Sequence, residues 1–250
     1  MGSIEEPGRG ELISIFPNSV EAVAVSESTW TVAVGADHVS AIYDPPSAGD
    51  EIGVFVCAHG AGGNLADRGV VATANAMRAQ GIGVVRYNFI YKEKKSGRPD
   101  PMPKLMATVA AVAEHVRSAL TPNRLVIGGR SMGGRAASML AAEQFDADGL
   151  LLLAYPLHPP KQPDKLRVAH LPTISMPVLC FNGTRDEFCS RPLMEQALAT
   201  VTAPWDMQWV DGADHSFHVL KSSGRTDKQV MDEIALTSRR FIASLAPRAG

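Results

Sequence analysis

Residues Arg124–Leu140, RLVIGGRSMGGRAASML, change character in the middle. RLVIGG has the composition of a buried strand, while the stretch after Ser131 reads as a helix of small residues. A chain that passes from strand to helix within so few residues must turn sharply, and neighbouring backbone then comes very close. Side chains two residues to either side of the bend would collide, and Gly129 and Gly133 occupy those places. Gly134, Ala136 and Ala137 let the helix lie tight against a sheet. The bend lifts Ser131 Oγ above the carboxyl end of the sheet. It also aims the Met132 N–H at the same space, at the start of a helix whose dipole favours negative charge.

The rest of the chain repeats this strand–helix theme. TVAVGADHVSAIYDPP predicts an early strand or hairpin closed by Pro45 and Pro46. Ile52–Gly60 (IGVFVCAHG) is a continuous apolar run, as suits a strand covered on both faces, and Ile82–Phe89 (IGVVRYNF) is the next strand. GLLLLAYP, PVLCFNG and WDMQWV supply three more strands. A helix is predicted from Asp67 to Gln80, stopped by Gly81, and YKEKKSGRPDPMP reads as a polar loop. The helix after that loop carries Leu105, Val109, Val112, Val116 and Leu120 on one stripe. The last helix opens with the capping-box spacing of Thr226 and Gln229 and turns Val230, Ile234, Phe241 and Leu245 inward. Alternation of this kind implies βαβ units, a mainly parallel sheet and helices on both faces. One domain accounts for residues 1–250, with loose tails before about Leu12 and after about Pro247.

Composition excludes several classes. A formal net charge of -2 gives no broad electrostatic reason to expect nucleic acid or an anionic membrane as partner. No apolar run approaches the ~18 residues of a membrane span. The start, MGSIEEPGRG, lacks a secretory pattern, and Glu6 stands where a myristoylation motif wants Ser or Thr. Cys57, Cys180 and Cys189 cannot all pair, so a reducing, cytoplasmic setting is expected.

A serine hydroxyl at the bend needs a base to become a nucleophile, and the base needs an orienting carboxylate. Downstream of Ser131 stand His158, His170, His215 and His218. His215 directly follows a predicted strand, on the edge where Ser131 emerges. Its rival His218 could instead pack under the final helix. The strand before it ends at Phe181 and then offers Asp186 and Glu187. Asp186 is the better candidate, because a short side chain on a tight turn leaves an imidazole little freedom. The plainer reading of Asp186 is a cap for a helix starting near Arg191. Asp211 and Asp214 lie too close to His215 in sequence to orient it and read as turn formers. AHGAGGNLAD, after the Ile52 strand, suits a second donor for a developing oxyanion: its glycines let the backbone fold back, and the Ala61 N–H would face that of Met132. His59 reads as structural, bonding within its own loop. Neither G-x-G-x-x-G nor a P-loop lysine is present.

HGAGG, GGRSMGGR, NGTRDEF and GADHSFH together resemble the α/β-hydrolase superfamily, in its order and spacing. The resemblance runs from about Thr31 to Leu245. It is nearest to the small dienelactone-hydrolase-like branch, within which RYNFIYKEKKSGRPDP resembles a little-characterised subgroup. It implies the α/β-hydrolase fold, with Ser131 as nucleophile, His215 as base and then acid, Asp186 as the orienting carboxylate, and Ala61 and Met132 as oxyanion hole. It implies no cofactor and no metal, and a small-molecule acyl substrate as partner. Dienelactone hydrolases proper carry cysteine where this chain has Ser131, so their substrate does not transfer. The subgroup also includes members regarded as subunits of chromatin complexes, so a catalytically silent scaffold is the competing expectation. A peptidase or acyltransferase on the same three residues is a further one.

Only AYPLHPPKQPDKLRVAHLPTISMP separates Leu153 from Val178, too little for a sizeable cap. A minimal cap predicts an open cleft and a short acyl or small ester substrate. Lys92, Lys94, Lys95 and Arg98 leave the carboxyl end of a strand, and Arg130 and Arg185 flank two of the candidate residues. They could draw anionic substrates to this face, or simply be a solvated loop and arginines in structural ion pairs.

Overall fold

The computed structural model describes Met1 and residues 27–248. The expected loose start, 1–11, lies outside the described residues apart from Met1. Arg248 departs from the expected loose end: it pairs with Asp146 and Asp148 at 2.9 and 2.8 Å, which ties the chain to the foot of the sheet.

The hairpin expected at the start forms from β1 (Ser28–Val34) and β2 (Asp37–Asp44), turning at Gly35 with φ +60. Then follow β3 (Gly53–Ala58), α1 (Arg68–Arg78), β4 (Ile82–Tyr87), a single turn α2 (Ile90–Glu93) and α3 (Met102–Leu120). The second half comprises β5 (Leu125–Arg130), α4 (Met132–Ala142), β6 (Gly149–Leu153), β7 (Val178–Gly183), α5 (Arg191–Leu198), β8 (Trp205–Val210) and α6 (Asp227–Ser244). The eight strands form one sheet in the order β1-β2-β4-β3-β5-β6-β7-β8. β2 is antiparallel to both of its neighbours, and every later pairing is parallel.

Alternation along β3 shows how the layers arise. Val54, Val56 and Ala58 enter the core shared with α3, α4 and α5, while Phe55 and Cys57 enter the one beneath α1 and α6. Both faces are covered, which is why the central strands are apolar throughout. The predicted capping box of Thr226 and Gln229 forms, and at the start of α1 Asp67 caps the helix by accepting from the Gly69 N–H. Phe241 stays half-buried and Leu245 packs inward just beyond α6. The polar loop expected after Phe89 instead opens with α2, a turn too short to show helical periodicity.

The order of strands also fixes where a site can form. From β3 the chain moves outward to β4, then crosses back over β3 to β5, so β3 and β5 are neighbours whose connections leave in opposite directions. A crevice opens at the carboxyl ends of such a pair. The loop after β3 and the bend after β5 therefore meet. All three cysteines are buried and unpaired; burial pushes the Cys57 thiol up to about 12 and raises those of Cys180 and Cys189 as well.

Candidate active site

Ser131 sits at the bend with φ +48 and ψ -117, a conformation that side chains rarely adopt. Its N–H donates to Leu153 O of β6 at 2.9 Å, and its own carbonyl starts α4 by accepting from Arg135 N–H at 3.0 Å. The close approach expected around it is real. A Cβ at Gly129 would lie 2.3 Å from Ala58 O, and one at Gly133 would lie 2.5 Å from Ala58 Cβ.

His215 Nε2 lies 2.9 Å from Ser131 Oγ, and His215 Nδ1 lies 2.8 and 2.9 Å from the two oxygens of Asp186. A carboxylate only accepts, so Nδ1 carries the proton and Nε2 offers its lone pair to the hydroxyl. Three residues spread over 85 positions of chain thus converge in proton-transfer order. Asp186 is buried, and two further donors fix it: Phe188 N–H at 2.9 Å and Asn182 Nδ2 at 3.1 Å. The plainer role considered for Asp186 is not realised, since Ser190 precedes α5 and Asp186 faces His215.

The other candidates are placed elsewhere. His218 does not pack under α6. It is exposed at the start of that helix, where Nδ1 meets Asp227 at 2.9 Å and the carboxylate raises its pKa. His158 is buried, with Nδ1 on Pro159 O, and His170 Nε2 meets Ser138 Oγ at 2.8 Å. Glu187 is exposed. Asp214 is the turn former expected, accepting the N–H groups of Ser216 and His218, and Asp211 accepts from the Thr184 hydroxyl at 3.4 Å.

On the β3 side, His59 is buried and bonds within its loop as expected, Nδ1 to Gly60 O at 2.7 Å. Its Nε2 accepts from Phe89 N–H at 3.3 Å, so the ring is the Nδ1–H tautomer. Gly60 carbonyl also accepts from Gly63 N–H at 3.1 Å, which turns the Gly60–Ala61 peptide so that the Ala61 N–H points the other way. This loop touches the bend: a Cβ on Gly60 would be 3.6 Å from Ser131 Cβ. Met132, first residue of α4, has no acceptor one turn back for its N–H.

Residues 51–243 match the profile of the alpha/beta hydrolase domain. The chain belongs to that family. Known structures repeat the architecture. XC6422 from Xanthomonas campestris, described as an α/β serine hydrolase without lid, is 22% identical with a TM-score of 0.69, over 86% of this chain and 94% of that one. A dienelactone hydrolase from Anabaena variabilis is 18% identical with a TM-score of 0.67, over 88% and 98%. Est1E from Butyrivibrio proteoclasticus is 14% identical with a TM-score of 0.68, over 86% and 99%. In this α/β-hydrolase chain the 154–177 excursion contains one 3₁₀ turn, Leu171–Thr173, and no α-helix, so the cap is minimal as expected.

Two supporting residues escaped the sequence reading. Asn182 ends an apolar strand and bonds both Tyr155 and Asp186; its one visible signal is a polar side chain at the end of VLCFN. Phe188 places its ring 4.4 Å from that of His215, a contact with no local pattern. Of the basic residues, Lys94 pairs with Asp37 at 2.7 Å and Lys92 lies over the Tyr91 ring. Arg130 donates to Ser216 O and stacks on Phe217, and Arg185 donates to Gly212 O. Lys95 and Arg98 are exposed. Of Lys94, Arg130 and Arg185 only Lys94 sits in an ion pair; Arg130 and Arg185 are held by backbone carbonyls rather than by the structural ion pairs of the plainer reading.

Burial lowers the His59 pKa to about 4 from its ordinary 6.5, while the bond to Gly60 opposes the shift. Between those values the unfolded chain binds the extra proton, so stability is lost as pH falls from 6.5 towards 4. The full shift corresponds to about 3 kcal/mol. Urea unfolding should show that His59→Gln lowers the slope of stability against pH in this window by up to ~1.4 kcal/mol per pH unit. Identical slopes for the two proteins would contradict this account.

Proposed function

We propose that this chain is a serine hydrolase that cleaves a small ester or related acyl compound through an acyl-enzyme on Ser131. The observation that carries the reading is the relay Ser131 Oγ–His215 Nε2, 2.9 Å, and His215 Nδ1–Asp186, 2.8 Å, on a strained backbone bend. His215 takes the hydroxyl proton as Ser131 Oγ attacks the carbonyl, and Asp186 steadies the imidazolium that forms. The N–H groups of Ala61 and Met132 stabilise the oxyanion. His215 then returns the proton to the leaving alcohol. A water, deprotonated by the same imidazole, releases the acid and restores the hydroxyl. Among the described residues no three His, Cys, Asp or Glu side chains are grouped to hold a metal ion, and these steps call for no cofactor.

The short excursion over the cleft favours a short acyl chain. No helix among the described residues is long and apolar enough to cross a membrane, and three unpaired buried cysteines support a reducing, cytoplasmic setting.

A fluorophosphonate probe tests the reading: it should label the protein at Ser131, and a panel of 4-nitrophenyl esters should show turnover falling as the acyl chain lengthens. His215→Ala should lower kcat by about 10⁴-fold or more. His218→Ala, at an exposed ion pair, should leave it within about twofold. Absence of labelling on folded protein would favour the silent scaffold. Faster release by amines than by water would favour an acyltransferase, and cleavage of peptide amides a peptidase.

A further inference from the structure

The segment Arg86–Tyr91, RYNFIY, contributes nothing to the Ser–His–Asp relay, yet four of its residues bond the loop 59–65. Arg86 Nη1 donates to Leu65 O at 2.7 Å, and Leu65 N–H donates to Asn88 Oδ1 at 2.8 Å. Phe89 N–H donates to His59 Nε2 at 3.3 Å, and the Tyr91 hydroxyl donates to Ala61 O at 2.7 Å. We propose that RYNFIY is a clamp that presets the oxyanion-binding loop, with Tyr91 as the positioning residue that fixes Ala61. This rests on the reading of Ser131 as nucleophile and Ala61 as oxyanion donor.

HGAGG carries three glycines in five residues, the composition least able to hold one conformation by itself. An oxyanion donor is effective only if it is already aimed when charge develops. Here both carbonyls that bracket the Ala61 N–H are held, Gly60 O by His59 and Gly63, and Ala61 O by Tyr91. The amide between them is left free to meet substrate.

The clamp is itself braced. Arg86 is buried in a two-point pair with Asp44, at 2.5 and 3.0 Å, which leaves Nη1 for the loop. Glu93 accepts from Asn88 Nδ2 and from Ser40 N–H, tying the clamp to β2. Tyr91 is buried, its N–H bonded to Asp100 at 2.8 Å and its ring stacked on Phe89. Burial and the charge of Asp100 push its phenol up to about 12, so the donor proton stays in place at neutral pH.

Tyr91→Phe removes one oxygen and keeps the ring packing. The expected result is a kcat about tenfold lower with KM within about twofold, and an equal loss of affinity for a trifluoromethyl ketone that forms a tetrahedral adduct. Asn88→Ala should weaken both in the same direction. Amide hydrogen exchange over residues 60–65 should quicken in each variant. Unchanged exchange in Tyr91→Phe overturns the clamp, as does unchanged kcat, or a KM rise that accounts for the whole loss. Wild-type protein inert to esters and to fluorophosphonate would sink the hydrolase reading instead, and exchange would still decide whether the segment holds the loop.

Discussion

Ser131→Ala should lower kcat for an activated ester by about 10⁴- to 10⁶-fold, abolish the burst of released alcohol and leave the unfolding temperature nearly unchanged. The first part follows from the relay, in which Ser131 Oγ is the hydroxyl 2.9 Å from His215 Nε2. The second follows because the acyl-enzyme has nowhere to form. The third follows because Ser131 Oγ makes no cap bond to α4, while alanine keeps the same backbone demand at φ +48. Stopped-flow absorbance and thermal melts on the two proteins supply the comparison. Turnover within about tenfold of wild type would refute the assignment of Ser131 as nucleophile.

Gly129→Ala should damage folding severely, with a loss above about 4 kcal/mol. Its φ of +140 already disfavours any side chain. The added methyl would lie 2.3 Å from Ala58 O and 2.5 Å from Ala58 N, so relief requires the central strands β3 and β5 to part. Backbone in the middle of a parallel sheet has no room for that. Gly62→Ala is the control: nothing stands within 4 Å of its added methyl. Chemical denaturation should show it close to wild type. Equal stability of the Gly129 and Gly62 variants would show that close packing does not explain the glycine at 129.

Much of this arrangement is legible in the chain because the bend is local. Strand, glycines, serine and helix lie within 17 residues, and Asp186 and His215 each follow a strand whose end marks the same sheet edge. The legible parts are those governed by periodicity and turn chemistry. What escaped depends on pairs of segments. The bonds from Arg86, Asn88, Phe89 and Tyr91 to loop 59–65 span 21 to 30 residues and leave no periodic trace. α2 is a single turn, below the length at which a helical repeat can be read. His218 and His215 were separable only by proximity, and Asp227, at the start of α6, is what holds His218 away.

The three buried thiols have a bearing on how the chain meets electrophiles. Thiolate, not thiol, is the attacking form. Cys57, Cys180 and Cys189 are kept protonated and out of reach, so acylating and alkylating reagents find little sulfur to consume them. A covalent adduct on the intact fold therefore lies on a side chain other than these three cysteines, and a serine-directed warhead can be used on this molecule without masking its cysteines first.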